Sequence, residues 1–252
     1  MVGPMSMRIL GHRGASAEFP ENTIEAFVGA AEQGADGVEL DVMRCATGEL
    51  VVCHDEHLDR LAGLDIEIAH ASWRRLKTVD VGSRLGFRPA RIPLLHEVID
   101  ALPTGLMVNI ELKNDAVDDR GLSEAVGALV SDRRLLDRAI VSSFNPLCLV
   151  RLARAFPEVR RGLLLDPGKP WVPQAWLWLP VTAPTSVHPA FSQCSPERAA
   201  RWHAAHLELA VWTVDDVDEA RQLRAMGVEW LITNRPGALR SELSRASWVA
   251  RP

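Results

Sequence analysis

Four things are missing from these 252 residues: a block of basic residues, a membrane-length apolar run, a C-x-x-C pair and a glycine-rich nucleotide fingerprint. Each absence removes a class of function. The 28 Lys and Arg are scattered along a chain of net charge -5, so no stretch is built to track a phosphate backbone, and nucleic acid is not an expected partner. The most apolar stretch, Trp171 to Val181, is broken by Pro173, Gln174 and Pro180, and falls short of the ~20 residues that a membrane helix needs. No integral membrane segment is expected. Cys45, Cys53, Cys148 and Cys194 lack zinc-ligand spacing and read as reduced, mostly buried thiols, with a Cys45 to Cys53 bridge disfavoured. Met1 to Met7 has neither the basic flank nor the continuous apolar run of a secretory signal, and the expected location is cytoplasmic.

What is present suits an ordinary folded chain. Hydrophobic residues make up 47% and charged residues 24%, enough for a core of its own, while length alone allows one large α/β domain or two small ones. Short apolar runs begin near residues 8, 37, 50, 106, 139, 161, 185, 209 and 230, and most are followed by helical periodicity. After the first, Ile24, Phe27, Val28 and Ala31 fall at helical spacing, with Asn22 or Thr23 as candidate N-cap and Gly34 ending the run. From His57 to about Pro93 the pattern weakens, apart from a helical segment near Ser72 to Thr78 that Ser72 is placed to cap. Roughly eight strand-helix units without a nucleotide fingerprint predict a (β/α)8 TIM barrel, a single domain over 1-252. The weak stretch, about 57-93, reads as a small insertion after the second barrel strand region, and a doubly wound open sheet is the rival architecture.

The chemistry collects where apolar runs end. In Gly37-Val38-Glu39-Leu40-Asp41-Val42 the two acids are two apart and share one face of a strand, where their mutual repulsion calls for a cation or for protons. Glu111 and Lys113 share a face in the same way, and His12, His54, His188, Trp212 and Asn234 with Arg235 stand at or just past other run ends. In a barrel those ends form the catalytic face. Each residue alone has an ordinary structural explanation; their joint placement does not. Glu39, Asp41 and Glu111 make a hard oxygen set suited to Mg²⁺ or Ca²⁺, and zinc held by His12 and His54 is the lesser reading. Two histidines beside such a cation suit general acid-base work, and Arg13 with Lys113 adds the positive charge that a phosphate would meet.

These residues carry a resemblance. His12-Arg13-Gly14, Pro20-Glu21-Asn22-Thr23, Glu39-Leu40-Asp41-Val42, His54-Asp55, Glu111-Leu112-Lys113, Ser142-Ser143-Phe144, Trp212-Thr213-Val214 and Ile232-Thr233-Asn234-Arg235-Pro236, in that order, resemble the glycerophosphodiester phosphodiesterase family over essentially the whole chain. The resemblance implies a TIM barrel with an insertion after the strand bearing His54. It implies His12 and His54 as general acid and base, Glu39, Asp41 and Glu111 as ligands of one divalent cation, and Arg13, Lys113 and Trp212 as substrate-binding residues. The implied reaction cleaves a small-molecule glycerophosphodiester to glycerol 3-phosphate and an alcohol. Two departures stand out: Thr47-Gly48-Glu49 replaces the usual Asp-Gly turn, and Asn234 stands where the family usually has Asp. The alternatives are a lysophospholipase D-like or other phosphodiesterase on the same fold, with or without a cyclic phosphate product, and a non-catalytic phosphate-binding barrel. Trp171, Trp176 and Trp178 are the candidate wall for an acyl chain in the first of these.

Overall fold

The computed structural model describes residues 7–168 and 175–249, and strands and helices alternate through them. β1 (Arg8–His12) leads to α1 (Ile24–Glu32), and β2 (Gly37–Arg44) turns back into the three-residue β3 (Leu50–Val52). Two short helices, α2 (Asp59–Ala62) and α3 (Trp73–Leu76), precede α4 (Leu95–Ala101). Then come β4 (Met107–Leu112), α5 (Leu122–Asp132), β5 (Ala139–Ser143), α6 (Pro146–Ala155), β6 (Arg161–Leu165) and α7 (Ala175–Thr182). The chain continues through β7 (Ser186–Pro189), α8 (Pro196–Ala204), β8 (Glu208–Val211), α9 (Val217–Ala225), β9 (Trp230–Thr233) and α10 (Pro236–Val249).

β1 pairs in parallel with both β2 and β9, and the parallel series β2-β4-β5-β6-β7-β8-β9 closes through it into the expected eight-stranded (β/α)8 barrel. The ninth apolar run, starting at Leu50, is not a barrel strand. β3 lies antiparallel to β2, with Val42 opposite Val52, because the Thr47-Gly48 turn is far too short for a parallel crossover of a dozen or more residues. Gly48 takes φ +99°, which favours glycine, and its carbonyl accepts from Arg44 Nε at 3.1 Å.

Alternation within each strand sets the layers. Outward residues such as Val38, Leu40, Ile110, Leu163, Val187 and Leu209 join helix residues such as Phe27, Leu95 and Trp202 in two apolar clusters between the barrel and its helices. Inside the barrel the apolar set is smaller, with Leu10, Ala210, Trp230 and Ile232 together. Between β2 and α4 a third cluster packs Leu58, Ile68, Leu76, Val81 and Ile92 against Met43 and Val51. Thr23, rather than Asn22, caps α1, with its Oγ1 accepting from Ala26 N at 3.3 Å. Asn145, Ser195 and Asp216 cap α6, α8 and α9, whereas Ser72 makes no side-chain cap on α3. All four cysteines are free, and no helix among the described residues is long and apolar enough to cross a membrane.

Candidate active site

Register on two neighbouring strands creates the acidic centre. Asp41 on β2 lies opposite Glu111 on β4, and Glu39 shares the inward face of β2, so ligand atoms of all three carboxylates fall within 4.8 Å of one another. Glu39, Asp41 and Glu111 are all buried, at 3%, 1% and 8% exposure, so water does little to screen their repulsion. Burial first, then Asp41 and Glu111, raises the Glu39 carboxyl well above its usual range. Burial and then Asp41 push Glu111 up to about 7, against the opposing pull of Lys113. Asp41 goes the other way: burial works to raise it, but Arg13 and Lys113 outweigh that and hold it below its usual range. Arg13 Nε lies 3.4 Å from Asp41, and Lys113 Nζ lies 3.0 Å from Glu111 and 3.9 Å from Asp41. Arg13 takes φ +55°, and its backbone N–H donates to Glu39 Oε2 at 3.1 Å. Asn22 donates from Nδ2 to Asp41 Oδ2 at 2.8 Å and accepts the Asp41 N–H at 3.2 Å.

His12 ends β1 with Nδ1 2.7 Å from Asn234 Oδ1 and Nε2 3.9 Å from Glu39 Oε2. His54 follows β3, with Nδ1 2.7 Å from Asp55 Oδ1. Arg60 donates to Asp55 at 2.6 Å and to Glu21 at 2.7 Å, and Glu21 in turn accepts from Arg13 at 2.9 Å. Burial lowers the pKa of both rings; Arg13 adds to this at His12, and Lys113 with Arg13 adds to it at His54, against Asp41 and Asp55. A cavity of about 70 Å³ opens between the two histidines. Its charged lining is Glu39, Glu111, Arg13 and Lys113, and its apolar wall is Phe144, Leu164, Trp212 and Ile232. Of the eight residues singled out from sequence, seven line this cavity, and Asp41 sits behind Arg13 and Lys113. Trp212 meets Phe144 edge-on, with centroids 5.6 Å apart, and its Nε1 donates to the His188 carbonyl at 2.8 Å.

Other run-end residues lie elsewhere. His188 is buried beneath Trp212, with Nε2 2.8 Å from Ser186 Oγ, and Arg235 donates to Glu242 on α10 at 3.0 Å. Trp176 stacks face to face on Trp202 at 4.4 Å, in helix packing between α7 and α8, while Trp171 lies outside the described residues. Sequence reading gave no part in the site to Asn22, Asp55 or Asp215, which hold Asp41, His54 and Asn234 respectively. The available signal was adjacency for Asp55 and the unused half of a two-residue cap choice for Asn22; Asp215 offered none.

The model of the glycerophosphoryl diester phosphodiesterase family matches residues 12–238. The chain belongs to that family. It is a phosphoric diester hydrolase of the glycerophosphodiester phosphodiesterase class. A glycerophosphodiester phosphodiesterase of Caldanaerobacter subterraneus subsp. tengcongensis is 34% identical over 240 residues, covering 93% of this chain and 97% of that protein. A putative glycerophosphoryl diester phosphodiesterase from Silicibacter pomeroyi DSS-3 superposes with TM-score 0.86 at 26% identity, over 96% of this chain and 95% of that one. An Oleispira antarctica phosphodiesterase in complex with the product sn-glycerol-3-phosphate superposes with TM-score 0.81 at 28% identity, over 94% and 96%. The donor set of this glycerophosphodiester phosphodiesterase fits a hard divalent cation: three buried carboxylates converge, two of them raised by burial first and by neighbouring carboxylates second, and no sulfur is among them.

Proposed function

We propose that the enzyme hydrolyses glycerophosphodiesters to glycerol 3-phosphate and an alcohol, with one divalent cation, Mg²⁺ or Ca²⁺, held by Glu39, Asp41 and Glu111. The observation that carries this reading is that ligand atoms of those three carboxylates fall within 4.8 Å of one another, with Glu39 and Glu111 lining a cavity shared with His12, His54, Arg13 and Lys113. When bound, the cation supplies positive charge to the phosphoryl oxygens as they gain negative charge during displacement. Arg13 and Lys113 flank the same space and bind the phosphate, Arg13 with its remaining guanidinium donors and Lys113 as a point charge. Phe144 and Trp212 wall the cavity on the side where apolar contact suits the carbons of a glycerol.

His12 and His54 move the protons. One ring takes the proton of the glycerol hydroxyl as its oxygen bonds to phosphorus, the P–O bond to the alcohol breaks as the other ring protonates the departing oxygen, and water then opens the resulting cyclic phosphate to glycerol 3-phosphate. Asp55 is an acceptor only, so it holds His54 through Nδ1–H and leaves Nε2 as the working nitrogen. The product complex of the Oleispira antarctica relative supports glycerol 3-phosphate as the product here. The same reading treats 1-252 as one barrel domain with an insertion at about 57-93, and the four free cysteines support a cytoplasmic setting.

The test incubates purified protein with glycerophosphocholine and glycerophosphoethanolamine, with Mg²⁺, Ca²⁺ or EDTA, and measures glycerol 3-phosphate. Release that stops in EDTA and returns with one of the two cations is the expected result. Undiminished release in EDTA after exhaustive dialysis would remove the cation from the mechanism.

A further inference from the structure

His12 is held by a relay that also determines which of its nitrogens carries the proton. Asp215 accepts three donors: Thr233 Oγ1 at 2.8 Å, the Asn234 backbone N–H at 2.8 Å and Asn234 Nδ2 at 2.6 Å. A carboxylate only accepts, so Asn234 must turn its NH₂ toward Asp215 and its carbonyl oxygen toward His12; the flipped amide would set two acceptors against each other. With the amide so oriented, Asn234 Oδ1 lies 2.7 Å from His12 Nδ1 and 2.9 Å from the Ser16 hydroxyl, both of which can donate to it. The Ser16 hydroxyl is also 2.8 Å from the His12 carbonyl, and Ala17 N–H donates to the Asn234 carbonyl at 3.1 Å, so the loop after β1 and the end of β9 are pinned together. An oxygen facing Nδ1 requires the hydrogen there. The lone pair of the neutral ring is then on Nε2, the nitrogen directed at the acidic centre, 3.9 Å from Glu39 Oε2.

We propose that Asn234 and Asp215 are positioning residues that fix His12 as its Nδ1–H tautomer, presenting Nε2 as a proton acceptor to the reacting centre. The proposal rests on the reading of His12 as a proton-transfer residue. It also separates the two histidines: the support behind His54 is a carboxylate, which stabilises an imidazolium, whereas the support behind His12 is a neutral amide, with the charge placed one residue further away.

The experiment records long-range ¹H–¹⁵N correlations of the histidine rings in labelled, Mg²⁺-loaded protein, with the His12 signal assigned by its loss in His12→Ala, together with kcat and KM. Wild type should show Nδ1–H at His12. Asn234→Ala should lose that single tautomer and drop kcat roughly 100-fold with KM little changed, because orientation is lost and phosphate binding is not. Asn234→Asp alone sets two carboxylates face to face and should also lose activity. Adding Asp215→Asn to it reverses the amide and carboxylate, preserves every donor-acceptor pairing and should restore both folding and most of kcat. Nε2–H in wild type, an unchanged kcat in Asn234→Ala, or no rescue by the double substitution overturns the proposal. An active His12→Ala would instead overturn the reading on which it rests.

Discussion

Glu111 is a costly group for the fold to keep without a counter-ion. Its carboxyl is pushed up to about 7 from an ordinary 4.5 by burial and then Asp41, so between those values the folded, cation-free protein holds a proton that the unfolded chain releases. Stability without cation should therefore fall as pH rises from 4.5 to 7, by up to about 3 kcal/mol at ~1.4 kcal/mol per unit. Urea unfolding at pH 5 and pH 7 checks this: EDTA-treated protein should lose stability over that step, while Mg²⁺ or Ca²⁺ and the Glu111→Gln substitution should each flatten the loss. Equal slopes with and without cation would speak against a cation at this site. For His54, partly exposed beside the cavity, substitution by Ala should lower kcat by about 10² to 10⁴-fold with little change in melting temperature. A near-normal kcat would take His54 out of the mechanism. Glu39, Asp41, Glu111 and Lys113 were readable in advance because a period of two assigns faces within a strand. Asn22 and Asp215 were not, because their partners lie 19 residues away in each case, across a loop and between two strand ends.

Among the elements, the hairpin of β2 and β3 is where a local pattern misleads. The run starting at Leu50 has the composition of a barrel strand, yet its turn length makes it antiparallel, and its consequence for function is that His54 reaches the cavity from a loop outside the stave order. β6 shows the opposite dependence, on a neighbour rather than on a turn. Gly162 leaves room for the His188 ring from β7, and a Cβ there would overlap His188 Nε2. Gly162→Ala should destabilise the barrel by about 1–3 kcal/mol, measured by chemical denaturation, because both strands are fixed by their ladders and the buried ring has nowhere to swing. A neutral result would mean that the barrel interior relaxes there.

At the scale of the whole molecule, acid stability should register the buried polar group beneath the site. His188 is pushed down to about 3 from 6.5, by burial first and Arg160 second, so the unfolded chain binds a proton that the folded barrel refuses. This contribution is complete above pH 6.5 and is lost as pH falls toward 3, at no more than about 1.4 kcal/mol per unit. The acid-unfolding midpoint of His188→Gln should lie below that of wild type relative to their stabilities at pH 7; parallel acid transitions would refute it. Sequence by itself determined the alternation of strands and helices, the faces of β2 and β4, and the eight residues of the candidate site, since each follows from period, spacing or ordered motif within a short stretch. Tertiary structure alone decided which apolar run stays out of the barrel, that His188 turns inward, and that Asp215 and Asn234 stand behind His12. Those outcomes depend on turn length, on the space a neighbouring strand leaves, and on barrel closure, which brings β9 beside β1 from opposite ends of the chain.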